Sequence, residues 1–317
     1  MTMPMTTGDW HVSTVDAPVA EHGEGAVWDA RDERLLWVDL TAGLVCSLDL
    51  ESARTVIASV GRHVGKAVPH EDGGLVLATR EGFCRMTESG DISVIAAPLE
   101  HDPKVRMNDG GVDPVGRFFA GSMSYDASPR AGTLFMLDLD GCVQVAVTDV
   151  TISNGISWDR AGDRCFYVDS GQGAIDVFSY DCSSGHLTQR RRLITLPPGN
   201  GEPDGLCLDA DDNLWVAIWD GWRIDKYASD GRLLLSVPLP VSRPTSCVFG
   251  GPKLDRMFVT TSALDFPRAR LAREPLAGQL LSFDPKTVGV ASPRCGVRSR
   301  GLETVPNSQA GLTRASE

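Results

Sequence analysis

Three polar residues, Glu24, Asn154 and Asp204, each stand directly before a glycine and a short apolar run: Glu24-Gly25-Ala26-Val27-Trp28-Asp29, Asn154-Gly155-Ile156-Ser157-Trp158-Asp159 and Asp204-Gly205-Leu206-Cys207-Leu208-Asp209. Two carboxylates and one amide oxygen are hard donors suited to Ca²⁺, Mg²⁺ or Mn²⁺, with positions left over for water and substrate. Asn-Gly and Asp-Gly taken singly are common tight-turn dipeptides. Glu-Gly has no such preference, and its recurrence at the same phase favours one shared site over three unrelated turns. Related units begin at Lys66, Asn108 and Thr245, so all six starts are polar. Arg106 lies two residues before Asn108. Alternate residues of a strand face one side, so Arg106 and Asn108 together can donate hydrogen bonds to a hydroxyl-rich ligand. Lys66 and Thr245 are candidates for channel contact without an essential role.

The elements that must position these residues are β-strands. The unit starts are separated by 42, 42, 46, 50 and 41 residues, a period long enough for a four-stranded blade. A second apolar run follows each start after a polar turn, as in Leu35-Leu36-Trp37-Val38-Asp39 and Cys165-Phe166-Tyr167-Val168-Asp169, and third and fourth runs follow in most units. The chain is therefore predicted to be all-β, a six-bladed β-propeller with four-stranded blades around a central channel. The innermost strand of every blade lines the channel, which makes residues of one repeat phase converge. Residues 1–12 read as a loose lead-in and 13–292 as a single propeller. Residues 293–317, rich in Arg, Ser, Gly and Thr, read as a disordered tail. A strand near Trp10–Val15 is expected to complete the last blade and so remove a sheet edge. Insertions between Met123 and Thr133 and between Leu264 and Gln279 leave the repeat where loops can cover a channel mouth.

Composition narrows the function classes. A net charge of −12 and a pI near 5.0 oppose nucleic-acid binding, whose affinity comes from neutralising phosphates. No apolar run approaches a membrane span and the first residues lack the pattern of an export signal, so a soluble, cytoplasmic protein is expected. Eight cysteines without a C-x-x-C pair read as small buried thiols. No G-x-S-x-G elbow, H-E-x-x-H pair or P-loop is present. Trp-Asp pairs occur, but without the Gly-His element of WD repeats.

The segments GEGAVWD, RMNDGGVDPVGRFFAGSM, ISNGISWD and PDGLCLDADDNLWVAIWDG resemble the signatures of the senescence marker protein/gluconolactonase/regucalcin family. The likeness covers about Glu21 to Pro285, with four motifs in order. It implies a six-bladed propeller that holds one divalent cation (Ca, Zn, Mg or Mn) and hydrolyses a sugar lactone. Glu24, Asn154 and Asp204 match the family's metal ligands, and Arg106 and Asn108 its substrate contacts. Asp126 matches a further acidic contact, although Tyr125 beside it departs from the acidic pair of some relatives. The resemblance implies metal-assisted addition of water to the lactone carbonyl, with Asp204 either taking the proton from water or serving only as a ligand. Two other functions fit the same residues: a calcium-binding regulatory propeller without hydrolase activity, and an esterase acting on an organophosphate or an acyl-homoserine lactone.

Overall fold

In each repeat the first two apolar runs are buried along most of their length, as in Gly23–Asp29 and Leu214–Trp219. Such continuous apolar runs, unlike alternating ones, mark strands covered on both faces. The fourth runs alternate or face solvent, as in His186–Thr195 and Arg54–Ser59. That gradient from buried to exposed is the radius of a propeller blade. The computed structural model describes residues 10–298, and the strands form six four-stranded antiparallel sheets. The innermost strands, from blade 1 to blade 6, are Gly23–Asp29, Val64–Pro69, Val105–Val112, Ser153–Trp158, Glu202–Leu208 and Pro244–Gly250. The all-β, six-bladed architecture expected from the repeat is the one observed.

Large aromatic side chains seal several joints between neighbouring blades. Phe83 of blade 2 meets Phe118 of blade 3, Phe119 of blade 3 meets Trp158 of blade 4, and Trp215 of blade 5 meets Phe249 of blade 6. The ring closes where Trp28 of blade 1 stacks on Phe258 of blade 6, with centroids 6.5 Å apart and planes 6° from parallel. Covalent continuity is broken at this joint, and the N-terminal segment repairs it. Ser13–Thr14 forms the outermost strand of blade 6 by pairing with Leu281–Phe283, and Trp10 packs edge-on against Phe283. The expected closing strand is present, in a shorter form than Trp10–Val15.

The far end of the chain forms a second closure. Ala210 N–H donates to Val288 O and Gly289 N–H to Leu254 O, on blades 5 and 6. Residues 290–293 then cross the axis. On the other side Cys295 N–H donates to Pro69 O, Gly296 N–H to Gly116 O and Arg298 N–H to Leu139 O, on blades 2 and 3. Cys295 and Val297 are buried, and Arg294 pairs with Asp29 at 2.7 Å. Residues 293–298, assigned to the tail by composition, thus belong to this strap. Backbone hydrogen bonds and two small apolar anchors hold it, which a polar composition conceals. The rest of the expected tail, from 299, and residues 1–9 lie outside the described residues.

Each cysteine is a free thiol, most of them buried, with Cys142 exposed. Among the described residues no helix is long and apolar enough to cross a membrane. The insertion at 264–279 carries the short helix Arg268–Leu271. Because packing across the blade 1/blade 6 joint has no covalent support, Phe258→Ala is expected to cost about 3–5 kcal/mol. The midpoint of denaturant unfolding measures this, and an unchanged midpoint would show that the joint does not depend on it.

Candidate functional site

Every innermost strand carries a β-bulge at its repeat start. Pairing with the second strand slips between Glu24 and Val27, Val64 and Lys66, Met107 and Gly110, Ser153 and Ile156, Pro203 and Leu206, and Pro244 and Ser246. A bulge adds a residue to one strand and re-aims its side chain. Asn154-Gly155 and Asp204-Gly205 are therefore not tight turns but the bulged positions of continuous strands. The register also corrects one phase: Val64 pairs with Thr79 as Gly23 pairs with Asp39, so Gly65 is level with Glu24 and Lys66 with Gly25.

In blades 4 and 5 the residue after the start sits hard against the next strand. A Cβ on Gly155 would lie 2.4 Å from Leu206 N and 2.9 Å from Asp204 O, and one on Gly205 would lie 2.7 Å from Ser246 Cα. Glycine is required here for contact between blades. In blades 2 and 3 the same level holds Lys66 and Asp109, which form a buried ion pair at 3.0 Å. This pair lies one residue below the ring of Glu24, Asn108, Asn154, Asp204 and Thr245.

Second strands fix how the chain reaches the ring. Asp39 accepts the N–H groups of Glu21 and His22, and Asp169, at the matching phase of blade 4, accepts those of Thr151 and Ile152. Both aspartates end apolar runs that the repeat makes visible, but their role depends on chain direction at the bulge. Ser170, which follows Asp169, orients the Asn154 amide. Its hydroxyl donates to Pro203 O (2.6 Å), so it can only accept from Asn154 Nδ2 (2.8 Å). Asn154 Oδ1 consequently faces away, buried and without a hydrogen-bond partner, as is Asp204 Oδ1. Glu24 accepts the Gly25 N–H at 3.1 Å.

The electrostatics follow from burial. Desolvation, reinforced by Asp109, pushes the Glu24 carboxyl up to about 8. Desolvation, then Glu24, Asp109 and Glu202, hold Asp204 well above the usual carboxylate range. Glu24 and Asp204 stand at the matching bulge of their innermost strands, and each carboxyl feels neighbouring acids there. Among the described residues no three His, Cys, Asp or Glu side chains gather to hold a metal, so what the ring offers is two carboxylates and an amide oxygen. Orphaned buried oxygens beside an excess of carboxylate fit a hard cation.

Arg106 is 8% exposed and forms no ion pair among the described residues. Its Nη1 donates to Asn108 Oδ1 (2.6 Å) and Met107 O (3.1 Å), and Asn108 Nδ2 donates across to Ser153 O (2.8 Å). The Asn108 amide is thus largely used inside the protein, where it holds the guanidinium. Tyr125 stands over Arg106 at 5.9 Å and contacts His63 Nδ1 through its hydroxyl at 3.0 Å. Asp126 lies apart from this cluster. It is exposed in the following loop, its carboxylate accepting the Ser128 N–H.

Two further residues, Arg243 and His22, pack against Trp219. Arg243 lies between the rings of Trp219 and Phe266, 4.4 and 4.8 Å from their centroids. Phe266 comes from the second insertion, as Tyr125 comes from the first. Next to Trp219 is His22, buried, with Nδ1 2.9 Å from Ser262 Oγ. Its position two residues before Glu24 is the signal the sequence offers.

The fold defines a class: a six-bladed propeller whose innermost strands carry Glu24, Asn154 and Asp204 at matching bulges. Residues 22–263 match the model of the SMP-30/gluconolactonase/LRE-like region, and the chain belongs to that family. It is 35% identical over 263 residues to regucalcin of Xenopus laevis, covering 81% of this chain and 88% of the relative. The structure of a luciferin-regenerating enzyme superposes with a TM-score of 0.86 at 27% identity, covering 91% of this chain and all of that one. A calcium-binding regucalcin of Agrobacterium tumefaciens shares the fold, with a TM-score of 0.86 at 22% identity over 90% of this chain and 97% of that one.

Burial first, then Arg106, Arg243 and His63, hold the His22 imidazole down at about 3. His22 is therefore expected to stay neutral across pH 5–8, visible as flat imidazole carbon-bound proton shifts in an NMR titration. A midpoint near 6.5 would place it in water instead.

Proposed function

We propose that this protein hydrolyses a sugar lactone, an aldonolactone such as a glucono-, galactono- or arabinonolactone, using one divalent cation held by Glu24, Asn154 and Asp204. The observation that carries this reading is the pair of buried, partnerless oxygens Asn154 Oδ1 and Asp204 Oδ1 beside Glu24. The family description, which includes gluconolactonase, supports the substrate class. A calcium-binding relative of the same fold supports the cation. Ca²⁺ is the first choice among Ca²⁺, Mg²⁺, Mn²⁺ and Zn²⁺ because every donor is oxygen. When bound, the cation would supply Lewis-acid polarisation of the lactone carbonyl.

The chain's own residues supply orientation and proton handling. Arg106 keeps donors that no carboxylate neutralises, suited to the ring oxygen and hydroxyls of a lactone. Asn108 fixes that guanidinium from blade 3 onto blade 4. We assign to Asp204 the proton released by the attacking water, because its Oδ1 is left without a hydrogen-bond partner in the protein. Tyr125 and the Trp219-Arg243-Phe266 wall offer rings on which a sugar face can lie. Asp126 is left to the outer part of a substrate.

Acid release from a lactone panel, followed with and without EDTA, tests the reaction; no metal-dependent turnover of any lactone would refute it. Tight Ca²⁺ binding without turnover would point to the regulatory alternative. Asn154→Ala and Asp204→Ala are each expected to lose about 10²-fold or more in kcat/KM while keeping the β-sheet circular dichroism signal.

A pH dependence of stability follows from the raised carboxyls. With Glu24 near 8 in the folded state and 4.5 as its ordinary value, the unfolded chain releases this proton first. The metal-free protein is therefore most favoured below about pH 4.5 and loses that contribution as pH rises through 8. A cation that replaces the protons restores it, so the Ca²⁺-induced rise in Tm is expected to grow from pH 5 to pH 8. A shift that is constant or larger at pH 5 would contradict the ligand assignment.

A further inference from the structure

The residue two before each repeat start belongs to a second tier, above the ring. With Gly65 level with Glu24 in blade 2, its members are His22, His63, Arg106, Ile152, Glu202 and Arg243. Contacts draw them to one mouth. Arg106 reaches down to Asn108, and Tyr125 joins Arg106 to His63. On the other side Trp219 carries Arg243 on its face and His22 beside it. Glu202 pairs with Trp219 across blade 5, and residues paired on antiparallel strands share a face. The Glu202 side chain therefore stands on the same wall as Arg243 and His22.

Of the Arg and Glu members, Arg243 is matched by Asp220 at 2.9 Å, whereas Arg106 and Glu202 form no ion pair among the described residues. Glu202 is exposed, and its carboxylate accepts no hydrogen bond from any described residue. The two stand on blades 3 and 5, with the apolar Ile152 of blade 4 between them. An apolar substituent laid over this mouth would strip water from both charges without replacing its hydrogen bonds. A further carboxylate would suit Arg106 but oppose Glu202, with Glu24 and Asp204 beneath. Hydroxyl groups satisfy both charges, donating to the carboxylate and accepting from the guanidinium.

We propose that this tier selects an uncharged, polyhydroxylated lactone, and that Glu202 is a specificity-determining residue that accepts a hydrogen bond from a hydroxyl on the side of the substrate away from Arg106. The inference rests on the lactone reading and narrows it, since lactones with acyl substituents or a free carboxylate become poor substrates. A site that hydrogen-bonds a substrate hydroxyl rejects the analogue lacking it, because the site's own polar group is then left unpaired.

Initial rates of the full chain with Ca²⁺ test this on glucono-δ-lactone and galactono-γ-lactone against δ-valerolactone and γ-butyrolactone, the same rings without hydroxyl groups. The hydroxylated member of a pair is expected to be favoured by about 100-fold or more in kcat/KM. Glucaro-1,4-lactone, which carries a carboxylate, is expected to be about tenfold poorer than the aldonolactones. Glu202→Leu is expected to raise KM for the aldonolactones about tenfold, with kcat within about twofold and the unsubstituted rings unaffected. Glu202→Gln, which keeps an acceptor oxygen, should retain more of the preference than Glu202→Leu. The Ca²⁺-induced rise in Tm should be unchanged in both variants; a smaller rise would make Glu202 part of the cation site and overturn the assignment. An unchanged KM in Glu202→Leu, an equal loss on both ring types, or glucaro-1,4-lactone as the best substrate would overturn it too, while leaving the lactone reading standing. Turnover of no lactone by the unaltered protein would refute that reading itself, and this inference with it.

Discussion

Six strands cannot meet at one axis without a level at which there is almost no room, and the rest of the structure depends on how that level is filled. Glycine fills it at 155 and 205, where a single Cβ would strike the next strand's backbone. Lys66 and Asp109 fill it in blades 2 and 3, and they neutralise each other there. The level divides the channel into an upper ring that collects oxygen atoms and a lower part walled mainly by apolar side chains, Val68, Ile156, Leu208 and Val248 among them. A bulge in each strand immediately above the level turns Glu24, Asn154 and Asp204 into the axis. Backbone crowding and side-chain convergence are thus two results of one local geometry.

The upper ring is costly in isolation. Burying carboxylates without partners opposes folding, and the shifts of Glu24 and Asp204 record that opposition. Surrounding groups relieve it only in part: Lys66 and Arg106 favour the Glu24 carboxylate from nearby, but Lys66 is paired with Asp109 and Arg106 donates to an amide and a carbonyl. Elsewhere among the described residues, buried acids meet cations, hydroxyls or backbone N–H groups. Asp176 meets Arg190 and Arg192, and Asp225 meets Arg223, Tyr227 and Ser236. The exception at the axis is therefore local, which is the usual signature of a site whose missing partner arrives from outside.

Much of this was legible before any coordinates. Repeat spacing and continuous apolar runs sufficed for the six blades, and the polar starts identified the residues that the bulges turn inward. Three features were hidden for physical reasons. Lys66 was placed one residue out of phase because a bulge adds a residue that only strand pairing reveals. Ser170 orients Asn154 through a hydroxyl whose own donation goes to Pro203 O, a geometry no spacing encodes. The strap was taken for tail because main-chain hydrogen bonds, blind to side-chain type, hold it alongside Cys295 and Val297. At the mouth, neighbouring positions diverge: Tyr125 turns to Arg106 while Asp126 points to its own loop.

The strap also changes what kind of object the ring is. A propeller closed by one strand can spring open at a single seam, and its lifetime is the lifetime of that clasp. Here the seam between blades 6 and 1 is clasped on the outside by Ser13–Thr14 and tied underneath by a segment reaching blades 5, 6, 1, 2 and 3. Opening the seam then requires both ends of the chain to let go in one event. Such coincidence acts on the unfolding barrier more than on the depth of the native well, so the two termini set how long the folded ring persists rather than how it is reached.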